Sequence, residues 1–147
     1  SPHDPLEEYC LSLLLQHPEL KNKGERLSPE HFERIENRAI FLAWRDNPER
    51  VREALDTTFH SHLDYLIMKV LPPASGRVLE IAFNDSIRRL RERRLRKLKI
   101  QEELLLSEAG SGGGIEELKQ LEQQIIAVGA QLKEVFNEER EDGERER

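Results

Sequence analysis

Apolar residues recur along this chain at helical spacing, and no run shows the two-residue alternation of a strand. Leu6, Tyr9, Cys10, Leu13 and Leu14 follow i, i+3, i+4, i+7 and i+8, the buried stripe of a first helix that Pro18 closes. Ser28-Pro29 supplies an N-cap followed by proline at the first helical position, with Phe32 and Ile35 behind it. Asn37 offers a second cap, for a helix that turns Ile40, Phe41 and Trp44 to one side. Asn47-Pro48 repeats the cap-plus-proline signal and starts a short helix carrying Val51 and Leu55. Thr57 or Thr58 caps the next, whose stripe is Phe59, Leu63, Leu66, Ile67, Val70 and Leu71, and Pro72-Pro73 ends it. The pattern predicts an all-α protein in which residues 1–74 form a small helical bundle.

Residues 75–147 follow a different pattern. From Ser75 to Glu108 there is no proline and only Gly76 as glycine, which predicts one long connecting helix with a stripe of Val78, Leu79, Phe83, Ile87, Leu90, Leu95, Leu98 and Leu105. Gly110-Ser111-Gly112-Gly113-Gly114 predicts a chain reversal over 107–114. In the helix that follows, Leu118, Ile125 and Leu132 occupy heptad position a, and Leu121, Val128 and Val135 position d. Two such helices pair as an antiparallel helical hairpin. Gly129, beside the seam, is either a tolerated flaw or a point where backbones approach closely. The charged stretch Asn137–Arg147 is expected to fray into an acidic C-terminus.

Composition agrees with a thick first half and a thin second half. Six of the eight aromatics in these 147 residues precede Pro72, although 35% of the chain is charged. The single cysteine, Cys10, excludes an internal disulfide and paired-cysteine zinc modules, which points to a reducing, cytoplasmic setting. The polar start lacks the basic and apolar stretches of a signal peptide, and no segment has the length of a membrane span. The net charge of -6 divides as -4 over 1–74, +3 over 75–114 and -5 over 115–147.

The positive share is concentrated. Between Arg88 and Lys99 lie eight basic residues and one acid, Glu92. A straight hairpin centred on the glycines sets this belt against Glu122 to Lys133, which holds only Glu122 as an acid, so the belt is expected to stay unneutralised within its own hairpin. It is a solvated helix face, a surface for an acidic protein, or a phosphate-binding site. The absence of interleaved aromatics and the acidic whole weigh against the last, so direct nucleic-acid binding is expected to be weak or absent. At the tip, Leu104, Leu105 and Leu106 are consecutive, and with Ile100, Ile115 and Leu118 they place more apolar surface than one seam buries. These side chains either fold over one another or form a partner site. The candidate partner-binding residues are therefore Arg91, Arg94, Ile100, Leu104, Leu105, Leu106, Ile115 and Leu118.

No motif for chemistry accompanies them. His60 and His62 point about 200° apart on a helix with 3.6 residues per turn, and the other histidines stand alone. The glycine run has no lysine and follows no strand, so it is not a phosphate loop. Cys10 sits on a buried stripe, where a thiol acts as a small apolar group. No catalytic, cofactor-binding or metal-binding residue is predicted, and the chain is expected not to be an enzyme.

Several segments carry a resemblance. Glu7-Glu8-Tyr9 runs into Leu13-Leu14-Leu15-Gln16-His17-Pro18-Glu19-Leu20, followed by Phe32, Asn37-Arg38, Ile40-Phe41, Trp44, the arginine-leucine helix and a terminal hairpin. In these features the chain resembles, over almost its full length, the C-terminal helicase-binding domain of bacterial DNA primase. The resemblance implies a non-catalytic bundle and hairpin that dock on the N-terminal domain of the replicative helicase, coupling primer synthesis to unwinding in the primosome. It implies no cofactor, and zinc-binding and polymerase domains ahead of Ser1. Single-stranded-DNA-binding protein is a further partner it allows, with Arg34, Arg38, Arg45, Arg50 and Arg52 available on the bundle. The alternatives are the N-terminal-type domain of the replicative helicase itself, which is similar in fold, and a helical module binding single-stranded nucleic acid through residues 88–99.

Overall fold

A computed structural model describes the backbone of residues 3–112 and 114–146, and their side chains apart from 109–112, 115, 139 and 142–146. Six α-helices and four short 3₁₀ turns occur among the described residues, with no strand, so the protein is all-α. The helices are α1 (Pro5–Gln16), α2 (Ile35–Asp46), α3 (Val51–Ala54), α4 (His60–Met68), α5 (Gly76–Gly112) and α6 (Ile115–Glu146). The chain divides into two compact units, Ser1–Leu90 and Arg91–Arg147, and the boundary falls inside α5. The expected division after Ala74 is therefore displaced. Leu79, Phe83, Ile87 and Leu90 of α5 are all but fully buried in the core of the first unit, because their stripe completes what the shorter helices leave open.

The first unit is organised around α1. Asp4 caps it by accepting from the Glu7 N–H at 3.1 Å, and Pro5 occupies a first-turn position where no N–H is needed. Leu11 and Ser12 are buried as well as Cys10, Leu13 and Leu14, so α1 is covered on more of its circumference than one stripe. It packs against α2 and α4. Phe32, Phe41 and Trp44 form an aromatic ladder, with ring centroids 4.9 Å and 6.1 Å apart in successive pairs. Gly24 closes one end of it, since a Cβ there would overlap the Trp44 ring.

Several local expectations are corrected by tertiary contacts. Ser28-Pro29 opens only a 3₁₀ turn, Pro29–His31, in which the Ser28 N–H donates to His31 Nδ1 at 2.9 Å. Asn37 is not a cap: α2 begins two residues earlier, and Asn37 is buried inside it. Asn47-Pro48 forms a turn ahead of α3, whose N-cap is Arg50. Asp56, not a threonine, caps the turn before α4 by accepting from the Thr58 N–H at 2.9 Å. Helix α4 stops at Met68, where Gln16 donates to the carbonyls of Leu66 and Lys69 at 3.0 and 2.9 Å; of the expected stripe, Ile67 inside the helix and Val70 beyond it are exposed.

In the second unit, Leu95 of α5 packs with Val128, Leu132 and Val135 of α6, and Leu98 lies against them. This is the expected antiparallel seam, in a different register. Helix α5 continues through Gly110 to Gly112, so the break expected over 107–114 falls between Gly112 and Ile115. Glycine weakens a helix by only about 1 kcal/mol per residue and keeps its N–H, so a glycine run permits a turn without fixing its place. Arg91 consequently pairs with Glu138 and Arg96 lies over Phe136, two to three turns further along α6 than expected. Helix α6 also runs to Glu146 instead of fraying from Asn137.

Candidate interaction surface

The sequence features that carried the resemblance take structural positions. Glu7 is fully buried and accepts from the Glu33 N–H at 2.8 Å, the Arg34 N–H at 3.3 Å and Asn37 Nδ2 at 3.0 Å. That pattern turns Asn37 Oδ1 towards His62, whose Nε2 donates to it at 2.7 Å. Arg38 donates through Nε and Nη2 to the Phe32 carbonyl at 3.1 and 3.0 Å. Glu8, also buried, meets His3 Nδ1 at 2.9 Å. Asp4, Glu7 and Glu33 present carboxylate oxygens within 4.8 Å of one another, but Asp4 caps α1 and Glu7 already binds the Glu33 backbone. Burial of Cys10 pushes its thiol up to about 12, so it stays protonated at neutral pH.

Burial also pulls the His62 pKa below its usual 6.5, against the opposing pull of Glu8 and Glu36 and with His3 and Arg34 adding to the shift. Burial pushes the Glu7 carboxyl above 4.5, although the hydrogen bonds it accepts oppose this. The two have opposite linkage. As pH falls through 6.5 the unfolded chain takes up a proton at His62 before the folded one does, so stability is lost. For Glu7, stability is fully present below 4.5 and is lost as pH rises towards its folded value. We expect the urea midpoint to climb towards pH 6.5 more steeply in the wild type than in His62→Gln, which keeps a donor for Asn37. Equal slopes in the two proteins would show that His62 is not responsible.

The candidate partner residues divide by environment. Ile100, Leu104 and Leu105 are 59%, 61% and 51% exposed, so the α5 leucines at 104 and 105 are not folded away. Leu106, Leu118 and Arg94 are half-buried, and the Ile115 side chain lies outside the described residues. Arg91 is half-buried and held by Glu138 at 3.1 Å. The belt is partly neutralised: Arg88 and Arg89 contact Asp85 at 2.6 and 2.9 Å, and Arg96 contacts Glu92 at 2.8 Å. Three of these pairs lie within α5 itself at i,i+3 and i,i+4 spacing, and only Arg91 with Glu138 depends on the register of the hairpin.

The structure adds a feature that the seam pattern concealed. Ile100 borders a groove of about 700 Å³ within the second unit, together with Ile126, Gly129 and Phe136 of α6. Arg96, Lys99 and Lys133 stand on its walls, and Glu103 is the acid among its lining residues. On α5 the lining residues 96, 99, 100 and 103 share one face, and on α6 residues 126, 129, 133 and 136 do the same. The signal in sequence was the apolar residue immediately after a seam residue, Ile126 after Ile125 and Phe136 after Val135. Nothing lies within 4 Å of where a Gly129 Cβ would stand, so no backbone of the described chain approaches it. Its cost to the helix, about 1 kcal/mol relative to alanine, is not offset by a close backbone contact among the described residues.

These features define an all-α module whose second unit is a helical hairpin with an exposed, partly apolar and basic surface. No helix among the described residues is long and apolar enough to cross a membrane. No protein-family model, curated protein or solved structure matches the chain.

Proposed function

We propose that this chain is a non-catalytic docking module of the kind found at the C-terminus of bacterial DNA primase, working in the cytoplasm and binding the N-terminal domain of the replicative helicase through its hairpin. The observation that carries this reading is the exposure of Ile100, Leu104 and Leu105 on one helix of a hairpin that also carries arginines. Apolar anchors surrounded by polar groups are the usual composition of a protein-docking surface. The Glu7, Asn37 and Arg38 contacts give a physical reason for the residue types behind the resemblance, since each ties the bundle together. Direct nucleic-acid binding through 88–99 is the weaker reading, because four of its arginines are engaged by carboxylates.

Titration calorimetry against the N-terminal domain of a bacterial replicative helicase tests this. Leu104→Asp with Leu105→Asp is expected to weaken binding roughly tenfold or more with unchanged circular dichroism, since substitutions at exposed positions perturb a fold little. A wild-type chain that does not bind removes the reading. Wild-type affinity in the double variant removes these two leucines from the contact.

A further inference from the structure

A two-helix hairpin buries one stripe of each helix, and here each helix carries a second one. The seam consumes Leu95, Val128, Leu132 and Val135. Ile100, Ile126 and Phe136 remain 59%, 70% and 41% exposed around the groove. Gly129 lies among them with open space above its Cα, although the sequence could have placed alanine there and gained a better helix. A glycine at the floor of an open groove allows another backbone to come close.

The walls indicate what kind of backbone. Arg96, Lys99 and Lys133 oppose Glu103 alone, and neither lysine has an ion-pair partner among the described residues. A symmetric second copy would bring these same cations against one another. We propose that the groove between α5 and α6 is a receptor for an amphipathic helix with acidic flanks, supplied by another protein. Its apolar face, spaced i, i+3 or i+4, i+7, rests on Ile100, Ile126 and Phe136, its backbone crosses at Gly129, and its carboxylates meet Lys99 and Lys133. The face of α5 from Arg96 to Glu103 offers about two helical turns to such a segment. The inference stands on the groove alone and does not require the partner to be a helicase.

The probe is a labelled synthetic amphipathic peptide of about 18 residues with a leucine face and glutamate flanks, beside a matched peptide with lysine flanks, followed by anisotropy. The wild-type chain is expected to prefer the glutamate peptide about tenfold or more, because opposite charges select partner and orientation. Gly129→Phe fills the groove and is expected to abolish that binding, while Gly129→Ala keeps it and Lys99→Glu with Lys133→Glu reverses the flank preference. Unchanged helical content by circular dichroism separates blocking from misfolding, and the charge reversal is a test even if Gly129→Phe fails to fold. Equal binding of both peptides, undiminished binding to a folded Gly129→Phe, or no binding by the wild type would overturn the proposal. So would a wild-type dimer that Gly129→Phe dissociates, which gives the groove to a second copy, or displacement of the peptide by a single-stranded oligonucleotide. The helicase domain is titrated in parallel. A chain that binds helicase but no peptide overturns the groove and leaves the helicase reading intact; a chain that binds the peptide but no helicase supports the groove and removes that reading.

Discussion

A fragment ending at Ala74 is expected to be unfolded, and one ending at Lys97 to fold cooperatively. Cutting after Ala74 removes Leu79, Phe83, Ile87 and Leu90, each at most 2% exposed, from the core that also contains Leu11, Ile40 and Leu66. Burying a large apolar side chain contributes about 1.5–3 kcal/mol, so four of them contribute about 6–12 kcal/mol. That is comparable to the whole stability of an ordinary domain, about 5–15 kcal/mol. The remainder would also expose the Cys10 thiol and the Ser86-facing side of α1 to water. Circular dichroism with urea titration of the two fragments is the measurement. A sigmoidal transition in the shorter fragment would mean that residues 1–74 are an independent domain after all.

Glu7→Ala is expected to destabilise the first unit by about 1–3 kcal/mol, the cost of a buried donor that loses its partner, because it strands the buried Asn37 amide and removes the acceptor of two part-buried N–H groups. The donors are the N–H groups of Glu33 and Arg34 and the side-chain amide of Asn37, and Asn37 in turn holds His62. Glu7→Gln discriminates charge from hydrogen bonding. Its one carbonyl oxygen still accepts and the cost of burying a carboxylate is gone, but its NH2 replaces the second acceptor oxygen and faces the N–H of Glu33 or those of Arg34 and Asn37, so it is expected to lose less than alanine without matching the wild type. A shift in urea midpoint as small for alanine as for glutamine would show that water replaces the carboxylate without penalty.

The two predictions draw on parts of the protein that differed in legibility. The stripe from Leu79 to Leu90 was visible as a 3.6-residue period, and each of its members is buried as that period requires. What hid the domain boundary was continuity: a helix gives no local mark where it leaves one core and enters another, and Pro72-Pro73 marks only a loop. In the sequence Asn37 reads as a cap, and Glu7 stands out only among the residues that carry the resemblance. Their pairing joins residues thirty positions apart, which no local spacing expresses. Among the candidate surface residues, Ile100, Leu104 and Leu105 are exposed as an unburied cluster should be, while Arg91 is engaged by Glu138. Ile126 and Phe136 do not stand out in the sequence because the heptad accounts for their neighbours Ile125 and Val135, and Gly129 stands out only as a position beside the seam.

Local sequence determined that this protein is all-α, because periodicity, caps and prolines act within a few residues and need no distant partner. It also determined which stripe of α6 faces α5, since Val128, Leu132 and Val135 have no other way to leave water. Tertiary structure alone decided how far the two helices slide past each other. The glycine run allows the reversal anywhere along it, so the register is set by the fit of side chains across the seam and by pairs such as Arg91 with Glu138. That register brings Glu138 to the basic belt and opens the groove above Gly129.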